Sequence, residues 1–251
     1  MTVPSKPKSP EKKQREFSLL QLLPNVLTIT AICAGLTAIR VGVEGHYTLA
    51  VQLILIACVL DGLDGRLARL LSSDSKMGAE LDSLADFLNF GVAPPLILYF
   101  WALEDIGGLA WISALIFSVC CVMRLARFNV GTKAEDTIPD SAFFEGIPSP
   151  AGALLVLLPM YYSFAYPDAG KMPDFLISIY MIVIGLLLIS RIPTWSFKAT
   201  KISRGNVKFF LVGVALVAAG VLTYAWVTLM ALCLGYFFVV LWGLVFKKVS
   251  F

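Results

Sequence analysis

Long apolar runs separated by short polar breaks set the pattern of this chain. Stretches of about 18–22 apolar residues are long enough to cross a bilayer as helices. Spans are predicted near Leu22–Ile39, Tyr47–Leu60, Leu84–Leu103, Leu109–Phe128, Ala151–Tyr166, Phe175–Ile192, Phe209–Tyr224 and Val227–Phe246. The second and third run on as polar helix past their apolar parts, which sets their polar ends at a membrane face. Eight helices leave little mass for anything else. The pattern predicts an all-α polytopic membrane bundle.

Composition agrees. Of 251 residues, 58% are hydrophobic and 15% charged, with a mean hydropathy of +0.82. A soluble domain of this length would need far more polar surface. Residues 1–17, rich in Pro, Ser and Lys, lack an apolar face and read as a disordered basic tail. No small-residue cleavage site follows the first span, so that span is not read as a cleaved signal peptide.

Basic residues orient the bundle. Lys6, Lys8, Lys12, Lys13 and Arg15 precede the first span, and Arg66, Arg69 and Lys76 lie between the second and third. Arg127, Lys133, Arg191, Lys198, Lys201, Arg204, Lys208, Lys247 and Lys248 fall on the same side, which leaves the other little more than Arg40 and Lys171. Both termini are therefore expected in the cytoplasm. The net charge of +3 is this topological bias and gives no reason to invoke nucleic acid. Cys33, Cys58, Cys120, Cys121 and Cys233 all fall in apolar spans without metal-ligand spacing, and His46 is the only histidine.

One stretch breaks the apolar logic. "LDGLDGRLARLLSSDSKMGAELDSLADFLNFGVAPP" places Asp61, Asp64, Asp82 and Asp86 beside hydrocarbon. Spacings of three and four put each pair on one helix face, and the short link lets the two pairs face each other. Converging carboxylates repel, and an unpaired one is expensive at membrane depth. Two divalent cations would balance four carboxylates, and all-oxygen ligation selects Mg²⁺ or Mn²⁺. Helix capping or simple exposure to water is the plainer account of one such Asp, but a poor account of two facing pairs. Gly65, Ala68 and Gly78 let a bulky ligand approach the helix backbone, and Arg69 suits a phosphate. Two metals with an arginine suit a pyrophosphate.

The eight positions Asp61, Asp64, Gly65, Ala68, Arg69, Gly78, Asp82 and Asp86 match, in type and spacing, the signature of the CDP-alcohol phosphotransferases. Further segments, "LPNVLTITAICAGLTAI", "RLARFN", "FEGIPSPAGALL" and "RIPTWSFK", resemble the bacterial integral-membrane phosphatidylserine synthases within that family. The resemblance implies a six-helix membrane core over residues 18–200, with residues 201–251 forming two additional C-terminal helices that resemble nothing specific. It implies a homodimer in the inner membrane, active at the cytoplasmic face. It implies transfer of a phosphatidyl group from CDP-diacylglycerol to L-serine, with release of CMP. By the same resemblance Asp61, Asp64 and Asp82 bind two metals, while Asp86 bridges or borders a metal and acts as general base. Gly65, Ala68, Arg69, Ser75 and Gly78 hold the CDP moiety. Asn25 either caps the first helix or touches the nucleotide.

The acceptor pocket is less defined. Serine is a zwitterion and needs a cation for its carboxylate. Arg124 and Arg127, three apart in the fourth span, either face a cavity or snorkel to lipid headgroups. Arg191 is a further candidate, and Glu145 and Asn89 are candidates for the ammonium. Glycerol 3-phosphate or inositol phosphate as acceptor remains open, as does a cation transporter built on the same acids. Three structural expectations complete the reading. Pro94 and Pro95 kink the third helix, Ser149 caps a helix with Pro150 in its first turn, and Trp101, Trp111, Trp195, Trp226 and Trp242 anchor span ends at the interface.

Overall fold

The computed structural model describes residues 19–71, 73, 75–104, 107–134, 143–190, 193–195 and 207–247. The apolar runs become helices: α1 (Leu19–Val43), α2 (Tyr47–Leu70), α3 (Lys76–Asp86), α4 (Ala93–Leu98), α5 (Gly108–Ala134), α6 (Ser149–Val156), α7 (Leu158–Ala165), α8 (Asp174–Ile189), α9 (Val207–Thr223) and α10 (Ala225–Lys247). Among the described residues four stretches are long and apolar enough to cross a membrane: Leu22–Val43, Tyr47–Leu70, Lys76–Leu103 and Gly108–Gly131. Asp174–Ile189, Leu211–Thr223 and Ala225–Val240 are shorter apolar helices. Many large apolar side chains face outward, among them Val59, Leu216 and Leu222. Water would not tolerate such a surface, whereas lipid is its natural solvent. This is a helical membrane protein.

The expected fifth span, Ala151–Tyr166, is not one continuous helix. It breaks at Leu157 into α6 and α7. Pro159 cannot donate to the carbonyl four residues earlier and its ring crowds that group. The carbonyl concerned, on Leu155, instead accepts from the Tyr180 hydroxyl of α8 at 2.5 Å. The third span stays helical through its prolines. From Lys76 to Leu103 the chain stays helical, with widened π-helical turns at Phe87–Val92 and Tyr99–Leu103. Pro94 and Pro95 enter the first turn of α4 directly after the first wide turn, where the missing donors cost least.

One departure from the all-helical expectation is a short antiparallel ribbon, β1 (Phe143–Glu145) with β2 (Pro193–Trp195), paired Phe143 to Trp195 and Glu145 to Pro193. It joins the chain before α6 to the chain after α8. The core between helices is filled by Ile54, Ile97, Leu98, Phe117, Met160, Tyr161 and Ile184, all fully buried. Two tryptophans read as interface anchors turn inward instead. Trp101 is buried under Lys171, whose Nζ lies 5.1 Å from the ring centroid. Trp226 packs on Tyr161 and Phe164 at 6.2 and 5.0 Å. Trp111 and Trp242 are exposed, as anchors are.

Candidate active site

α1 packs against both α2 and α3, and the polar faces of the three line an open cavity of about 560 Å³. Asn25 and Thr28 line it from α1, and Asp64, Gly65, Ala68 and Arg69 from α2. Ser75, Gly78 and Asp82 line it from α3 and its cap, with Phe128 of α5 at the edge. Helical spacing does what it promised here. Carboxylate oxygens of Asp61, Asp64 and Asp82 all lie within 4.8 Å of one another. Asp86, one turn beyond Asp82 on the same face of α3, lies beside Asp61. The two pairs therefore do face each other.

The donor set fits a hard cation. It is all oxygen, and one of its atoms, Oδ1 of Asp64, is buried with no hydrogen-bond partner. The other oxygen of Asp64 accepts from the Thr28 hydroxyl at 2.6 Å. Thr28 was not picked out by sequence, although it sits three residues after Asn25 on the same face of α1. It fixes the Asp64 carboxylate and leaves the free oxygen toward the cluster, as outer partners of metal ligands do.

Local chemistry positions the α3 side of the cavity. Ser75 is the N-cap of α3, its hydroxyl accepting from the Gly78 N–H at 2.9 Å. A side chain at Gly78 would meet Ser75 Oγ at 3.0 Å and Asn25 Oδ1 at 3.1 Å, so glycine permits the approach of α1 to α3. Gly65 looks into open space, and a side chain there would enter the cavity. Arg69 is exposed and donates from Nε to the Gly65 carbonyl at 3.0 Å. Asn25 lies well inside α1 and cannot cap it, which removes that reading and leaves the residue on the cavity wall.

Asp86 also has a neighbour outside the cavity lining. Arg124 of α5 lies within electrostatic range of it and donates from Nη1 to Ser149 Oγ at 2.7 Å. Ser149 is thus not the expected N-cap; Pro148 holds that position and the Ser149 hydroxyl turns to the arginine. Arg127 donates to the Ile189 carbonyl at 3.1 Å, which satisfies a helix-end acceptor of α8. Neither arginine is explained by snorkelling alone. Asn89 is fully buried in the wide turn after Asp86, with its amide pressed against Gly35 and both polar atoms unpartnered. Glu145 contributes its backbone to β1, while the Glu145 side chain and Arg191 lie outside the described residues.

Comparison with known proteins adds independent support. The family model of the CDP-alcohol phosphatidyltransferases matches residues 21–199. A CDP-diacylglycerol–serine O-phosphatidyltransferase from Mycobacterium leprae is 37% identical over 228 residues, covering 89% of this chain and 75% of that protein. One of the same name from Helicobacter pylori is 38% identical over 192 residues, covering 76% of this chain and 78% of that protein. Another, from Methanocaldococcus jannaschii, is 37% identical over 179 residues, covering 70% of this chain and 76% of that protein. With the family match spanning the cavity, the acidic cluster and the helices that carry them, this chain belongs to the CDP-alcohol phosphatidyltransferase family.

Proposed function

We propose that this chain transfers the phosphatidyl group of CDP-diacylglycerol to the hydroxyl of L-serine, giving phosphatidylserine and CMP. The observation that carries the reading is the convergence of Asp61, Asp64 and Asp82 within 4.8 Å at the wall of a cavity that also holds Arg69. Relatives at 36–38% identity bear the name of that activity.

Asp61, Asp64 and Asp82 would hold two divalent cations, Mg²⁺ or Mn²⁺, with Asp86 at their border. Bound there, such ions supply charge neutralisation of the pyrophosphate and of the CMP that leaves. The chain's own residues do the rest. Gly65, Ala68 and Gly78 keep the cavity wall low enough for the CDP group, and Arg69, Asn25 and the capped turn at Ser75 border it. Thr28 locks Asp64 in one orientation. Asp86 accepts the proton of the serine hydroxyl, since the single histidine, His46, sits in the loop before α2, at the other end of that helix from the acids. The serine oxygen then bonds to the phosphorus that carries the diacylglycerol, and the bond from that phosphorus to CMP breaks. Arg124 answers the serine carboxylate, with Arg127 behind it. The lipid tails stay in the bilayer, entering from the cytoplasmic leaflet, and the chain crosses the inner membrane with eight spans and both termini inside. The family resemblance supports a homodimer.

Purified protein incubated with CDP-diacylglycerol and a panel of alcohols tests this. Phosphatidylserine should form only with serine and a divalent salt, with CMP released in equal amount. A lipid made from glycerol 3-phosphate or inositol phosphate instead, or no CMP at all, overturns the assignment.

A further inference from the structure

Outside the family-matched residues, α10 does more than pad the bundle. Leu229, Cys233, Tyr236 and Val240 recur at spacings of four, three and four, and three of the four are buried, so this stripe faces inward. The helix is pinned by the Trp226 ring against Tyr161 and Phe164. It is pinned again by Cys233, whose thiol lies 3.5 Å from the Leu154 carbonyl of α6. α6 is also the helix whose first residue, Ser149, holds Arg124. One turn along α10 from Cys233, the Tyr236 hydroxyl is buried with no hydrogen-bond partner, and so is Nε of Arg124. The two groups lie within electrostatic range of each other, and Arg124 within range of Asp86.

An arginine Nε–H can only donate, and a phenol donates readily. Two buried donors left without acceptors mark a place where an acceptor belongs. Two other unpartnered buried groups do not share this setting: Asn89 is closed off against Gly35, and Tyr161 stacks on Trp226. A carboxylate offers two oxygens and a charge opposite to the guanidinium. In serine the carboxylate and the hydroxyl-bearing carbon are attached to the same α-carbon. A carboxylate held by Arg124 leaves the hydroxyl a few bonds away, free to turn toward Asp86, which lies within electrostatic range of that arginine.

We infer that α10 completes the acceptor site, with the Tyr236 hydroxyl and Arg124 together binding the carboxylate of the incoming amino acid; this rests on the transferase reading above. Tyr236 is then a specificity residue supplied from outside the shared family core.

The test is Tyr236→Phe, which keeps the ring and removes the hydroxyl, assayed in the full-length protein in detergent. The KM for L-serine should rise about ten- to hundredfold, as loss of one hydrogen bond to a charged group implies. The KM for CDP-diacylglycerol and the melting temperature should stay where they were. L-Serinamide, which lacks the carboxylate, supplies a second readout: the preference of the wild type for serine over serinamide should shrink in the variant. An unchanged serine KM in the variant, with a serine-dependent wild type, overturns the subsite alone. A rise in both KM values with a lower melting temperature also overturns it, since that is the mark of a packing defect. If the wild type makes no serine-dependent product, the transferase reading falls and the subsite with it.

Discussion

Asp86 stands between two polar regions that were built in different ways. On one side, every acid and small residue of the cavity's α2 and α3 walls comes from Asp61 to Asp86, with α1 adding Asn25 and Thr28. On the other, Arg124, Ser149 and Tyr236 come from α5, α6 and α10, helices far apart in the chain. In the proposed reaction the first side handles a pyrophosphate, whose charge calls for several fixed ligands at set distances. Helical spacings of three and four provide that geometry locally, whatever the rest of the bundle does. In the same proposal the second side distinguishes one alcohol from another, and it depends on tertiary packing. The chemistry common to a family is thus written in a short segment, while the choice of acceptor is dispersed.

Asp86 belongs to both regions, so altering it should have the largest effect. Asp86→Asn keeps the shape of the side chain but removes a proton acceptor. Turnover should fall by about 10²–10⁴-fold, the usual worth of a general base. Asp61, Asp64 and Asp82 remain, so Mn²⁺ should still raise the melting temperature of the variant. Near-normal CMP release would remove Asp86 from the role of base and leave it a neighbour of the cluster.

A crossed pair of variants separates the two regions themselves. Thr28→Val deletes the 2.6 Å bond that orients Asp64 and nothing on the arginine side. The divalent concentration needed for half-maximal rate should rise by roughly 10–100-fold, as for other second partners of metal ligands, with the serine KM unmoved. Arg124→Ala should do the reverse, raising the serine KM by about 10–100-fold through loss of a charged hydrogen-bond donor while the divalent requirement holds. Arg127→Ala is the control, since that side chain is tied to the Ile189 carbonyl. If Arg124→Ala and Arg127→Ala both leave the serine KM untouched, the acceptor pocket is elsewhere.

How far the residues alone disclosed this follows the same division. The facing of Asp61 and Asp64 with Asp82 needed only helical periodicity and a short link, and the link delivered it. The apolar runs likewise gave the helices, because no water-soluble packing could hide them. What failed to show were effects of neighbours. Asn25 reads as a cap until the helix is found to begin at Leu19. Ser149 before Pro150 carries a capping pattern, yet a buried guanidinium outbids the backbone for its hydroxyl. Pro159 announces a break only weakly, because membrane helices tolerate proline when another group satisfies the freed carbonyl, and Tyr180 comes from a helix whose packing is not local information. The β1–β2 pairing joins segments separated by three helices, and such short strands have no periodicity to read.

The smallest expected effect concerns a residue of double meaning on the cavity side. Ser75 was assigned to the CDP moiety by resemblance, and its hydroxyl accepts from Gly78 as the N-cap of α3. If capping is its main work, Ser75→Ala should cost about 1 kcal/mol of stability, seen as a lower melting temperature in detergent. The KM for CDP-diacylglycerol should then rise only slightly, because the cavity wall is loosened and no contact is deleted. Ser75→Asp, which can still cap, should restore the melting temperature while placing a negative charge beside the phosphates. A substrate-contacting hydroxyl would give the opposite pattern, with an unchanged melting temperature in Ser75→Ala and a KM raised severalfold. Recovery of stability by aspartate, with a KM raised further by its charge, would place the capped turn beside the phosphates.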